Sequence, residues 1–336
     1  MHRSAKVSLV AAPVIIFLLS FMIGRYPVPP WTVLRVILAD LLPAQWISAD
    51  WLPAVQAVVM DVRLPRIAAA MLVGSGLSLS GACYQGVFRN PLVSPFILGV
   101  SAGAGFGAAL AILLLPWPDA VPLLAFVFGL LAVAMCYALA RSYRAAPTLV
   151  LVLAGVVVGA LFTALLSLLK YVADPESKLP VIEFWLLGSL SGVSARDVWL
   201  LLTLIVPGAA VLLALRWRLN LLAVGDDEAR GLGINTTQLR AVVVIVATLI
   251  AAGTVAVAGI IGWVGLVIPH AARILVGADF RRVLPASAAL GACYLMLVDD
   301  AARTVTAAEL PIGVLTALIG AAVFALLLRR KALGWA

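Results

Sequence analysis

Charge is scarce in this sequence. Asp, Glu, Lys and Arg make up 11% of its 336 residues, against about 25% in a soluble domain, which excludes an ordinary water-facing surface around a globular core. Cysteine occurs three times, as Cys83, Cys136 and Cys293, each alone inside an apolar run. Without a CxxC or a pairable spacing, neither a disulfide framework nor a thiolate metal centre is expected. The two histidines, His2 and His270, are too few for a histidine-built metal site, and no HExxH occurs. Lysine is as sparse: none of Lys6, Lys170, Lys178 and Lys331 follows a glycine, so there is no P-loop to cradle the phosphates of ATP. Neither a metal nor a cofactor is expected.

What is abundant is hydrocarbon. Hydrophobic residues make up 64% of the chain and its mean hydropathy is +1.16, so its solvent reads as lipid. A helix crossing about 30 Å of hydrocarbon needs about 20 apolar residues. Nine runs approach that length, at 7–24, 67–88, 92–115, 120–140, 147–169, 198–215, 241–268, 283–298 and 310–328. The seventh is too long for one crossing and is broken at Gly259-Ile-Ile-Gly262; divided near 237–258 and 260–276, it makes ten spans. The first run ends in Gly24-Arg25-Tyr26-Pro27 rather than in a small-x-small cleavage site, and so reads as an uncleaved span rather than a signal peptide. Placing the N-terminus in the cytoplasm puts fifteen of the 23 basic residues inside and eleven of the 15 acidic residues outside, as the positive-inside rule requires. The expectation is an all-α polytopic membrane protein of about ten transmembrane helices, one domain over 1–336, with both termini cytoplasmic. Its formal charge of +8 is then a topology signal and not a footprint for nucleic acid.

Small residues recur inside the spans at helix-contact spacing, as Gly99, Gly103 and Gly107 and again as Gly155 and Gly159. Helices in lipid pack through such close backbone approach. Gly76-Leu-Ser-Leu-Ser-Gly81 and Gly253-Thr-Val-Ala-Val-Ala-Gly259 echo each other faintly, as the halves of an inverted repeat would. Ionisable residues avoid the span interiors: Lys170, Asp299, Asp300, Arg303 and Glu309 all fall near predicted outer ends. Ion-coupled secondary transporters keep such groups near the midplane, which disfavours that class and implies a separate energising subunit. Two motifs are empty. Gly99-Val-Ser-Ala-Gly103 spells a nucleophile elbow, but that elbow needs a preceding strand, a histidine and an acid. Gly103, Gly105 and Ala108 match a dinucleotide fingerprint without a strand or a suitably placed acid. An intramembrane enzyme is disfavoured accordingly, and His270, after Pro269, reads as a structural residue.

Between the spans, the outer stretches 25–66 and 170–197 carry Trp31, Trp46, Trp51, Pro175, Pro180 and Trp185, a composition that suits short helices at the membrane interface. The long inner segment is 216–240. There Asp226, Asp227 and Glu228, followed by Gly231 and Gly233, are start and stop signals for a short helix. A rigid helix facing the cytoplasm suits contact with an ATPase; a merely solvated loop is the other reading of the same residues.

Four segments, in order along most of the chain, carry a family resemblance. They are Arg63-Leu-Pro-Arg66; Gly74 with Gln85-Gly-Val-Phe-Arg-Asn-Pro-Leu92 and Leu98-Gly-Val-Ser-Ala-Gly103; Leu219-Asn-Leu-Leu-Ala-Val-Gly-Asp-Asp-Glu-Ala-Arg-Gly-Leu-Gly233; and Gly262-Trp-Val-Gly-Leu-Val-Ile-Pro-His270 with Arg273, Asp299, Arg303 and Glu309-Leu-Pro-Ile-Gly313. In these the sequence resembles the FecCD/BtuC-type permease family, the membrane subunits of type II ABC importers for iron siderophores, haem or cobalamin. The resemblance implies a BtuC-like subunit in the bacterial inner membrane, paired with a second permease copy or a similar partner around a central pathway. Two ABC ATPase subunits sit beneath such a pair and a periplasmic substrate-binding protein docks above, so the chain itself is expected to be no enzyme.

The resemblance also assigns residues. It implies coupling to the ATPase through Leu221, Leu222, Gly225, Asp226, Asp227, Glu228, Arg230 and Gly231 of the 216–240 segment, and a cytoplasmic gate at Pro147, Thr148 and Leu149. It implies docking of the binding protein's carboxylates on Arg63, Arg66 and Arg303, read as exposed at the outer mouth, where anchoring to lipid headgroups is the other reading. The implied cargo is a metal chelate, a ferric siderophore or related iron complex first, with haem, cobalamin and molybdate as alternatives. Asn90-Pro-Leu-Val-Ser-Pro-Phe-Ile-Leu98 does not choose among them.

Overall fold

Helices account for the regular structure, with no strand among the described residues, which are 3–42, 46, 50–141 and 147–329 of a computed structural model. In chain order they are α1 (Arg3–Ser20), α2 (Pro30–Leu41), α3 (Pro53–Ala57), which runs through a π-helical turn (Val58–Arg63) into α4 (Leu64–Val87), then α5 (Val100–Leu114), α6 (Ala120–Arg141), α7 (Pro147–Val172), α8 (Lys178–Leu186), α9 (Ala195–Val224), α10 (Asp226–Gly231), α11 (Thr236–Ala258), α12 (Val264–Val276), α13 (Phe280–Thr304) and α14 (Ile312–Arg329). Among the described residues six helices are long and apolar enough to cross a membrane, and shorter apolar helices cover Leu9–Ser20, Val100–Leu114, Val264–Val276 and Ile312–Leu326. These ten coincide with the ten apolar segments of the sequence. The interfacial stretches hold the short helices α2 and α8.

Three boundaries differ from the apolar runs, each for a local reason. The run 92–115 becomes a helix only at Val100: Pro95–Leu98 forms a 3-10 turn, and Gly99 takes the left-handed φ of 78°, open to glycine at little cost. The break at Gly259–Gly262 is present. Gly259 has φ 68°, and a Cβ there would lie 2.3 Å from the carbonyl oxygen of Trp185. The segment 216–240 is helical almost throughout, because α9 extends to Val224 and α11 already starts at Thr236.

α4 is the axis of the bundle. Of the apolar window in the continuous Pro53–Val87 helix 83% is buried within the chain, against 17% for α9 and 28% for α6 and α7; the last three therefore turn their apolar surface to lipid or to another subunit. α13, α11, α9 and α12 pack around α4. The contacts are backbone against backbone. A Cβ on Gly81 would lie 1.9 Å from the carbonyl oxygen of Gly265 in α12, and one on Gly74 2.2 Å from that of Gly291 in α13. The Gly103–Gly107 pair does the same for α5 against α6, facing the carbonyls of Phe128 and Leu124. The small-residue spacing thus serves helix packing, which in lipid rests on such close approach.

Candidate functional site

α9 does not stop where its apolar stretch ends but carries Leu221 and Leu222 on to Val224, turns at Gly225 and gives α10 directly. Asp226, Asp227 and Glu228 occupy the first turn of α10, where carboxylates face the positive end of the helix dipole. The helix closes on Gly233 (φ 78°): its N–H donates to Arg230 O at 2.9 Å and that of Ile234 to Ala229 O at 3.0 Å. Asn235 then caps α11, accepting from the Gln238 N–H at 3.0 Å. α10 is therefore a rigid projection held between two long helices. Leu222, Gly225 and Ala229 are buried and Leu221 is half-buried, while Asp227, Glu228, Arg230 and Gly231 are exposed. Val224 and Leu232 stand 71% and 66% exposed beside them, which gives the projection an apolar and charged outer surface.

Asp226 ties this projection to the body. Its Oδ1 accepts from Arg240 of α11 at 2.5 Å and also from the guanidinium of Arg89, in the connection between α4 and α5. Arg89 reaches further, its Nε donating to the Leu222 carbonyl at 2.7 Å. Its own backbone has φ 49°, a left-handed conformation that costs a non-glycine residue on the order of 1–3 kcal/mol. Sequence reasoning had Arg89 within a family motif but gave it no role, since its partners are 133 and 137 positions away. It likewise missed Gln85, whose Oε1 accepts from Arg273 at 2.5 Å and whose amide donates to the carbonyl of Leu266 at 3.3 Å. That pair ties the end of α4 to α12, beside the buried His270.

At the opposite end of α4 the three arginines read as exposed are buried, and the expectation of free guanidinium forks at the mouth is corrected. Arg63, Arg66 and Arg303 are only 4–6% exposed. Arg66 donates to Asp299 at 2.9 Å and to Glu309 at 2.9 Å, bridging α13 and the segment before α14. Arg303 bonds Asp300 one turn earlier and the Ser20 carbonyl at 2.9 Å, while the Ser20 hydroxyl donates to Asp300 at 2.7 Å. Arg63 donates to the carbonyls of Phe21 at 2.6 Å and Tyr26 at 2.5 Å. The physical reason is that Asp299 and Asp300, 1% and 5% exposed, are tolerable in an interior only when paired and hydrogen-bonded. The arginines do bond carboxylates, but within the chain.

Of the gate residues, Pro147 is the first residue of α7 and Thr148 follows within the helix. The side chains of both lie outside the described residues. Leu149 is 59% exposed. Among the described residues there is no group of three or more His, Cys, Asp or Glu that could hold a metal ion.

Ten apolar helices among the described residues, six of them long enough to cross a membrane, with the short α10 held between two long helices, give the architecture of a membrane protein. The sequence pattern of the FecCD transport family matches residues 12–330, and the chain belongs to that family. Among its relatives, the molybdate import system permease protein of Haemophilus influenzae is 41% identical over 94% of this chain and 92% of its own length. A probable iron chelatin transport system permease protein of Helicobacter pylori is 40% identical over 83% of this chain and 84% of its own. The cobalamin import system permease protein of Halobacterium salinarum is 40% identical over 90% of this chain and 80% of its own. A solved structure of a metal-chelate type ABC transporter in an inward-facing conformation superposes with a TM-score of 0.86 at 39% identity, covering 98% of this chain and 100% of that one. The chain is thus an ABC importer permease, a transport subunit rather than an enzyme, with ATP hydrolysis on a separate subunit.

Proposed function

We propose that the chain forms a ten-span permease of the bacterial inner membrane that imports a metal as a chelate or an oxyanion, paired with a second copy or a similar subunit. Both termini and α10 face the cytoplasm and two ATPase subunits. A substrate-binding protein meets the periplasmic face. The observation that carries this reading is α10 itself: a short capped helix with an exposed outer surface, tied inward by Asp226 to Arg89 and Arg240. Motion imposed on α10 from below reaches α4 through Arg89 and α11 through Arg240. Pro147, Thr148 and Leu149 open α7 at this same end as the gate. From Leu149 an exposed apolar face runs along α7 through Leu153, Val156 and Val157, which suits a seam with the second copy. On the periplasmic side Arg63, Arg66 and Arg303 serve docking from beneath, by holding in shape the turns that a binding protein would touch.

In the reconstituted complex, Asp226→Ala and Arg89→Ala are expected to leave ATP hydrolysis in place and to lower uptake. Hydrogen bonds to charged groups are worth about 1.5–3 kcal/mol, so the loss is about 10- to 100-fold. Unchanged uptake in both variants would make α10 a solvated turn. For the cargo, an iron chelate is the first reading, in line with the iron chelatin permeases among the relatives. Molybdate is the second, favoured by the match over 94% of the chain to the Haemophilus influenzae permease. Calorimetric titration of the cognate binding protein with molybdate and with ferric chelates separates the two.

A further inference from the structure

A cleft of about 490 Å³ opens at the same end of the molecule as α10, between the start of α1, the end of α9 and the start of α13. Its walls carry Leu9 and Val10 of α1, Arg216 of α9, and Arg281, Arg282 and Ala289 of α13. Three cations therefore converge on a space that has an apolar back wall. All three arginines are exposed. They differ in one respect from most others in the chain. Arg25, Arg35, Arg63, Arg66, Arg89, Arg196, Arg230, Arg240, Arg273 and Arg303 each spend their guanidinium on a carbonyl, amide or carboxylate. Arg216, Arg281 and Arg282 have no side-chain hydrogen bond or ion pair among the described residues.

The cluster is also built rather than incidental. Asn220 lies one helical turn beyond Arg216 on α9. Its amide donates to Asp279 Oδ1 at 2.7 Å, and its carbonyl oxygen accepts from the Phe280 N–H at 2.8 Å. These two bonds pin the start of α13 to the end of α9, and so set Arg281 and Arg282 beside Arg216. Asp279, the residue that precedes α13, is already engaged: the Arg281 N–H and the Asn220 amide both donate to its Oδ1 and hold it below the usual carboxylate range. It caps the helix and feels the charges of Arg281 and Arg282, but it forms no ion pair with any of the three guanidinium groups, whose hydrogen-bonding edges stay open to another anion. Val10 is 72% exposed and Val14, one turn further along α1, is 55% exposed, so the apolar wall continues from the cleft along the membrane-facing surface of α1.

Planar guanidinium forks bond phosphate oxygens bidentately, and basic pockets between helices at the cytoplasmic face take lipid headgroups. The geometry points to a binding site for the phosphate headgroup of an anionic phospholipid, with its glycerol and upper acyl chain against Leu9, Val10 and the outer face of α1. The phosphate is the recognised chemistry and the membrane is its source. The site lies apart from the α10 surface and does not depend on which cargo is carried.

Native mass spectrometry of the full chain in detergent tests it, with phosphatidylglycerol, phosphatidylcholine or inorganic phosphate added in turn. The wild-type chain is expected to retain phosphatidylglycerol and to release phosphatidylcholine under the same activation, and millimolar phosphate should not displace the lipid. Replacing all three arginines by glutamine should weaken retention on the order of a hundredfold, whereas the triple lysine variant should keep most of it. Ala289→Trp leaves every charge in place but fills the cleft, and should lower retention as strongly. Equal retention of phosphatidylglycerol by wild type, triple glutamine variant and Ala289→Trp would overturn the site. Displacement by free phosphate would overturn the lipid as its ligand.

Discussion

Arg66 stands between two carboxylates, one from α13 and one from the segment leading to α14, and its side chain is 7% exposed. Removing one partner of a buried pair leaves the other charge uncompensated and costs about 3–5 kcal/mol. Arg66→Met is therefore expected to lower the stability of the detergent-purified chain by about that amount. Adding Asp299→Leu should recover part of it, since the second substitution removes the stranded charge. Denaturant titration monitored by Trp fluorescence checks both, and an unperturbed Arg66→Met would show the pairing to be without energetic weight. None of the three arginines reads in the sequence as part of this lattice, although a local signal for one of them is there. Asp299, Asp300 and Arg303 stand at helical spacings of three and four, which announces an intrahelical ion pair. Arg66 meets Asp299 across 233 positions, and no local pattern carries such a pairing, so an arginine at a helix end was read as a surface charge.

At the scale of the element, glycine decides where helices meet. Gly81→Leu is expected to prevent α4 from closing on α12, because even a Cβ would fall 1.9 Å from the Gly265 oxygen and a backbone carbonyl has no rotamer with which to withdraw. Expression with recovery of folded protein by size-exclusion chromatography in detergent measures this; Gly231→Ala, where an added Cβ meets nothing within 4 Å, is the control expected to fold. Helix existence was legible throughout, since about 20 apolar residues in lipid have no alternative but to satisfy their backbone internally. Helix ends were less so. α9 passes Arg216 and Arg218 without interruption because charged residues at a span's end do not break a helix, only its burial in hydrocarbon. α5 starts late because Pro95 and Gly99 impose a 3-10 turn on residues as apolar as any in the bundle. The short α10 was legible from its acids and glycines, but the clamp that makes it rigid was not, since Arg89 enters from a connection far away in sequence.

For the whole molecule, the ten-span reading fixes which loops share a side. Single cysteines at positions 178 and 227, in a chain whose three native cysteines are replaced, are expected to react with a membrane-impermeant maleimide from opposite faces. Position 178 should label in intact cells, and position 227 only after the membrane is opened. Labelling of both from outside would break the count of spans between α8 and α10. The distribution of buried surface points the same way: α4 is enclosed, while α6, α7 and α9 keep apolar faces turned outward. The central helix is therefore surrounded by its own chain, and the peripheral ones keep apolar surface for hydrocarbon or a partner.

That enclosure has a consequence for how the chain is made. α4 is synthesised early, yet the backbones that close on Gly74 and Gly81 belong to Gly291 and Gly265, some two hundred residues later. At about 5–20 residues per second, the ribosome keeps α4 waiting for roughly 10–40 s before its flat glycine face can be covered and before Asp299 arrives to neutralise Arg66. During that interval the helix sits in the nascent membrane with an unfilled groove and an unmatched cation. The enclosure of α4 is thus a property of the completed chain alone, because the helices that close on it are among the last to be made.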